Sequence, residues 1–161
     1  MMMRTTMRTL VIGVGNPLVG DDGVGIHVVR RLQELGLGKH VELEEAATGG
    51  LTLVEMFLGF EKVVIVDAIA SEALPPGDVM LLTPESLKGT THLSSPHDTN
   101  FATALELLKS AVPDQVPSKI VIVGVGIKWS RIREFSEELS TEVRDAVQKA
   151  VEIVIEEIRL S

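Results

Sequence analysis

Apolar residues in this chain recur in two patterns that alternate along its length. Four short runs read as strands: Thr9-Leu10-Val11-Ile12-Gly13-Val14, Val63-Val64-Ile65-Val66, Val79-Met80-Leu81-Leu82, and Lys119 to Val125. A fifth, Val41-Glu42-Leu43-Glu44, alternates with the period of two of a strand covered on one face. The runs at 63–66 and 119–125 are continuous, as expected of strands buried on both faces. Helical patterns fill the gaps. The first spans about Asp22 to Leu35 and stops at Gly36; a short second covers Leu51 to Leu58 and stops at Gly59. A third begins near Asp98 or Thr99, either of which can cap it, with Phe101, Leu105, Leu108 and Val112 on one face. The last carries Leu139, Val143, Val147, Ala150, Val154 and Ile158 along one stripe.

This alternation predicts an α/β layer fold with helices on both faces of a sheet. One connection departs from it. The third and fourth strands are joined by a short segment containing Pro75-Pro76-Gly77, with no room for a crossover helix. Parallel neighbours need a crossover of about a dozen residues or more. The fourth strand is therefore expected to be antiparallel and at an edge, giving a mixed sheet. No repeat or internal boundary interrupts the pattern, so residues 7–161 read as one domain. Residues 1–6, Met1-Met2-Met3-Arg4-Thr5-Thr6, are expected to be a poorly ordered extension.

Composition narrows the function. A length of 161 residues suits a single domain, and 45% apolar content with a mean hydropathy of +0.27 excludes whole-chain disorder. The net charge of −8 leaves no overall basic footprint, so no nucleic-acid partner is expected. With no cysteine there is no disulfide, zinc-thiolate site, iron–sulfur cluster or cysteine nucleophile. The longest clean apolar run, Ile120 to Ile127, falls far short of the roughly 20 residues of a membrane span, and no signal-peptide core follows the N-terminus. The expectation is a cytoplasmic protein with no membrane partner.

The densest candidate chemistry is Gly13-Val14-Gly15-Asn16-Pro17-Leu18-Val19-Gly20-Asp21-Asp22-Gly23-Val24-Gly25, between the first strand and the first helix. A dinucleotide loop wants a third glycine where Leu18 stands, and Asp21-Asp22 would repel a pyrophosphate. No Gly-Lys-Ser/Thr follows, so it is not a Walker A loop. The acidic pair suggests a cation, or a carboxylate acting as acid or base; the plainer alternative is that one of the two caps the first helix. Asp67 follows the buried run 63–66 and is expected at the same carboxyl edge of the sheet as Asp22, unless it only satisfies neighbouring loop amides. His97, in Ser94-Ser95-Pro96-His97-Asp98, is a third candidate, or simply an exposed loop histidine. His27 and His40 read as surface residues. Together Asp22, Asp67 and His97 make a two-carboxylate, one-histidine set suited to a divalent transition metal such as nickel or zinc. With no His-Glu-x-x-His helix and no Gly-x-Ser-x-Gly elbow, hydrolysis would use a metal-bound water or carboxylate acid–base chemistry. A small nucleotide-binding domain is the weaker rival reading.

The glycine-rich segment resembles the N-terminal signature of the nickel-iron hydrogenase maturation endopeptidases. Thr48-Gly49-Gly50-Leu51, Val66-Asp67-Ala68, Ser95-Pro96-His97-Asp98 and Leu139-Ser140-Thr141-Glu142-Val143 resemble further family segments, in order over nearly the whole chain. The resemblance implies a three-layer α/β/α sandwich, phosphorylase/hydrolase-like, with a mixed five-stranded sheet. It implies removal of a C-terminal extension from the hydrogenase large-subunit precursor once nickel is in place. Asp22, Asp67 and His97 would be the catalytic and metal-recognising trio; Asn16, Asp21, Thr48, Gly49 and Gly50 would lie in the substrate loops. The nickel would be delivered by the substrate, at a site other divalent metals can occupy. A nickel-binding assembly factor that cuts nothing would use the same trio. Two segments depart from the family pattern: Glu45-Ala46-Ala47 stands where Asp-Gly-Gly is frequent, and Ile127 to Arg133 replaces a Pro- and Glu-containing loop. The second includes Trp129, the only tryptophan, which reads as ordinary packing or as a partner anchor.

Overall fold

The computed structural model describes residues 8–87, 101–128, 130 and 135–160. Among these, five strands form one sheet: β1 (Thr9–Val14), β2 (Val41–Ala46), β3 (Lys62–Ile69), β4 (Val79–Leu82) and β5 (Lys119–Gly126), in the order β2-β1-β3-β5-β4. β1 is parallel to β2 and β3, β3 is parallel to β5, and β4 is antiparallel to β5 at the edge, as the short third connection requires. That connection reverses direction over Pro75-Pro76-Gly77. The Gly77 N–H donates to the Gly126 carbonyl at 3.0 Å, and the Gly126 N–H donates to the Asp78 carbonyl at 2.8 Å.

Helices α1 (Val24–Leu35) and α4 (Thr141–Arg159) cover one face; α2 (Gly50–Glu55) and α3 (Phe101–Ala111) cover the other. Strand alternation divides the core between them. Val11, Val64, Val66, Val123 and Val125 meet α1 and α4. Leu10, Ile12, Val63, Ile65 and Ile122 meet α2 and α3, where Phe57 and Phe101 pack edge to face. No helix among the described residues is long and apolar enough to cross a membrane.

Several boundaries move from where periodicity puts them. The first helix begins at Val24 rather than Asp22, because Gly20–Gly23 winds as a separate 3₁₀ turn. β3 continues through Asp67 to Ile69, because β5 pairs with it that far, Asp67 opposite Gly124. α2 is shorter than its apolar stretch and α4 starts after Ser140. His40 is exposed, but His27 is half-buried under the segment leading into α4, not a surface residue. Residues 1–6 and the expected caps Asp98 and Thr99 lie outside the described residues.

Lys62 opens β3 yet is fully buried. Its ammonium donates to the carbonyl of Glu157 and, at 3.1 Å, to that of Leu160, at the carboxyl end of α4. Burial pushes its pKa below the ordinary lysine value, against the opposing pull of Glu157.

The start of α1 lies directly on the sheet. A Cβ added at Gly25 would overlap the Val66 carbonyl oxygen and come within 2.9 Å of the Val14 carbonyl oxygen. Backbone cannot give way as a side chain can, so Gly25→Ala should lower stability by about 1–3 kcal/mol. Urea unfolding should show an earlier midpoint with an unchanged slope; an unshifted midpoint would mean that α1 does not sit this close.

Candidate active site at the carboxyl edge of the sheet

Ligand sites in open α/β sheets lie beyond the carboxyl ends of the parallel strands. Here β1 feeds the loop carrying Asn16, Asp21 and Asp22, β2 feeds Thr48-Gly49-Gly50, and Asp67 sits near the end of β3. All these candidates therefore share one edge. The loop leaves β1 through Gly15, whose N–H donates to the Ala46 carbonyl at the end of β2 (3.0 Å). Gly15 has φ +143°, and a Cβ there would overlap the Asp22 carbonyl oxygen. The loop thus folds back on itself and brings the 3₁₀ turn into contact with β3.

Asp22 is buried, and its Oδ2 accepts the Asn16 N–H at 2.9 Å. Asn16 is exposed, and its side-chain oxygen accepts the Leu18 N–H at 2.9 Å, a local turn that shapes the rim. Asp67 is 2% exposed, and its Oδ1 accepts the Ala68 N–H at 2.8 Å. Alternation puts Asp67 on the Val63 and Ile65 face, the one covered by α2 and α3. Thr48, Gly49 and Gly50 are half-buried and lead into α2.

Asp21 lies in the same loop but faces inward. It is 1% exposed; its Oδ1 accepts the Ser140 N–H at 2.7 Å and its Oδ2 accepts the Ser140 hydroxyl at 2.8 Å. The expectation that Asp21 or Asp22 caps the first helix is overturned. α1 has Gly23 at its N-cap and no side-chain cap bond, because Asp21 binds Ser140 and Asp22 binds Asn16. A second tie joins the loop to the entry of α4. The Gly20 N–H donates to the Ser136 carbonyl at 2.7 Å, and the Ser136 N–H donates to the Leu18 carbonyl at 2.9 Å. Periodicity missed Ser136 and Ser140 as parts of this edge. The signal available for Ser140 was its place in Leu139-Ser140-Thr141-Glu142-Val143 at the head of the last helical stripe, where a serine reads as an N-cap.

His97 and Trp129 lie outside the described residues. His97 precedes Phe101, where α3 begins, and α3 packs on the face that holds Asp67. Among the described residues no three histidine or carboxylate side chains come close enough to hold a metal ion. A cleft of about 780 Å³ opens beyond the ends of β3 and β5, lined by Ala70, Glu72, Pro75, Pro76, Ile127 and Lys128 among others.

A sequence-family profile described as hydrogenase maturation protease matches residues 26–157. The chain is 35% identical over 121 residues to the hydrogenase 2 maturation protease of Escherichia coli (strain K12), covering 74% of this chain and 73% of that protein. Its fold is similar to the hydrogenase maturating endopeptidase HybD from E. coli, with a TM-score of 0.79 and 29% identity over 95% of this chain and 93% of that one. It is also similar to the NiFe hydrogenase maturation protease HybD from Thermococcus kodakarensis, with a TM-score of 0.75 and 32% identity over 95% and 100% of the two chains.

His27, half-buried on α1, contributes a pH dependence. Burial, then the nearby Arg30 charge, push the His27 imidazole below the ordinary histidine value of about 6.5; the Glu137 carbonyl and the Glu45 carboxylate pull the other way. The folded chain then binds fewer protons than the unfolded chain just below that value. This contribution is present above about pH 6.5 and is lost as pH falls through the lowered folded value. His27→Gln should flatten the decline in unfolding free energy on acidification from neutral pH. Parallel urea titrations of both proteins at pH 7.5 and 5.5 test it; identical declines would overturn it.

Proposed function

Because this chain belongs to the hydrogenase maturation protease family, we propose that it removes the C-terminal extension of a nickel-iron hydrogenase large-subunit precursor after nickel insertion. The observation that carries this reading is the arrival of two buried carboxylates, Asp22 and Asp67, at one sheet edge from separate strands. The nickel belongs to the substrate. Asp22, Asp67 and His97 recognise it, so that cleavage is a checkpoint on metal insertion. The reading is of a cytoplasmic endopeptidase whose partner is the precursor, not nucleic acid or membrane.

Peptide hydrolysis adds water across the C–N bond. Hydroxide goes to the carbonyl carbon, and the proton ends on the leaving amine. A carboxylate at Asp22 or Asp67 takes the proton from the attacking water and returns it to the amine, a role worth about 10²–10⁴-fold. Substrate nickel polarises the scissile carbonyl or its water. The cleft beyond β3 and β5 holds the polypeptide next to the scissile bond; its small walls, Ala70 and Ala73, allow an extended backbone to approach.

The test is incubation with nickel-loaded precursor, followed by intact-mass measurement. Loss of one discrete C-terminal peptide is expected. Asp22→Asn and Asp67→Asn should cut at least about 100-fold more slowly with unchanged circular dichroism, and nickel-free precursor should stay whole. Stable association with no mass loss would replace this reading with the non-cleaving assembly factor. Equal cleavage of nickel-free precursor would end the checkpoint.

A further inference from the structure

Ser140 occupies the N-cap of α4, where a serine hydroxyl ordinarily accepts an N–H from the helix's first turn. It makes no such bond here. Its hydroxyl and its backbone N–H both donate to the Asp21 carboxylate, at 2.8 and 2.7 Å. Asp21 is 1% exposed, and both of its carboxylate oxygens are turned toward the start of α4. Two donors and the positive end of a 19-residue helix compensate its lost hydration. The neighbouring residue in the chain is Asp22. On the other side of the turn, Gly20 and Leu18 are bonded to Ser136. The segment entering α4 therefore grips the Asp22 loop from both sides.

We propose that Asp21 is a positioning residue: the Asp21–Ser140 clamp fixes the Gly20–Gly23 turn and so holds the Asp22 carboxylate in place beside β3. Asp21 touches no substrate and acts through Asp22. The proposal rests on the reading of Asp22 as a site residue given above. It predicts that loosening the clamp frees Asp22 locally while the sheet stays intact. The Asn16 N–H, which donates to Asp22 Oδ2 (2.9 Å), is the reporter of that freedom.

Four variants of the full chain test it: Ser140→Ala, Asp21→Ala, the two combined, and Ser140→Thr, which keeps the hydroxyl. Residue-resolved amide exchange and steady-state cleavage over a range of nickel-loaded precursor concentrations are the readouts. Ser140→Ala and Asp21→Ala should speed exchange at Asn16 about tenfold or more while the β3 amides stay protected. Both should lower kcat about 10- to 100-fold at constant KM. The combined variant should be no worse than Asp21→Ala, and Ser140→Thr should restore exchange and kcat. If Asp21→Ala fails to fold, the contrast between alanine and threonine at position 140 decides alone. Unchanged exchange at Asn16, or loss of protection in step with β3, would overturn the clamp. So would a raised KM with unaltered kcat. If the unmodified protein leaves the precursor whole, the protease reading fails, and amide exchange alone then decides the clamp.

Discussion

The start of α1 rests on bare backbone, and the site depends on that contact. Gly25 lies against the Val66 and Val14 carbonyls, and a Cβ at Gly13 would in turn overlap the carbonyl oxygen of Gly25. With no side chain between them, helix and sheet approach as closely as main-chain atoms allow. The turn ahead of α1 is then brought beside β3, and Asp22 reaches the edge that holds Asp67. The same glycines resemble a phosphate cradle in one dimension. In three they are occupied by packing, and the acidic pair sits where a phosphate loop would need to be free of negative charge.

α4 is bracketed by buried charges of opposite sign. Asp21 meets its N-terminus through Ser140, and Lys62 meets its C-terminus through the carbonyls of Glu157 and Leu160. Each charge is of the sign that the helix end favours, which offsets part of its desolvation. The first couples α4 to the site loop and the second couples it to the start of β3. A helix distant in sequence from the candidate carboxylates thereby becomes part of their support, and Val143, Ala150 and Val154 complete the attachment through the core.

The antiparallel edge strand shapes the cleft beyond β3 and β5. A parallel β4 would need a crossover helix over the sheet. The tight return through Pro75-Pro76-Gly77 instead lays a short loop across the end of β5, where the Pro75 carbonyl packs against Gly126. That loop walls the cleft beyond β3 and leaves it open next to the strand that carries Asp67.

Much of the fold was legible along the chain because its signals are local. Continuous Val-Ile runs marked β1, β3 and β5, the apolar stripe marked α4, and a connection too short for a helix made β4 antiparallel. The carboxyl-edge location of Asp22 and Asp67 followed from their places after the first and third strands. The misreadings share one cause. The first helix starts at Val24 rather than Asp22, Asp67 lies inside β3 and His27 is half-buried; Lys62, buried at the head of β3, carried no expectation at all. Each depends on partners that are remote in sequence: the strap at Ser136 and Ser140, the register of β5, and the far end of α4. The sequence by itself determined the layers, the mixed sheet and the edge where the candidate carboxylates gather, because hydrophobic period and connection length act over a few residues. Only the tertiary structure decided that Asp21 faces α4 while its neighbour Asp22 stays with the site loop. A carboxylate's role is set by which donors surround it, and Ser140 reaches Asp21 only after the chain has folded.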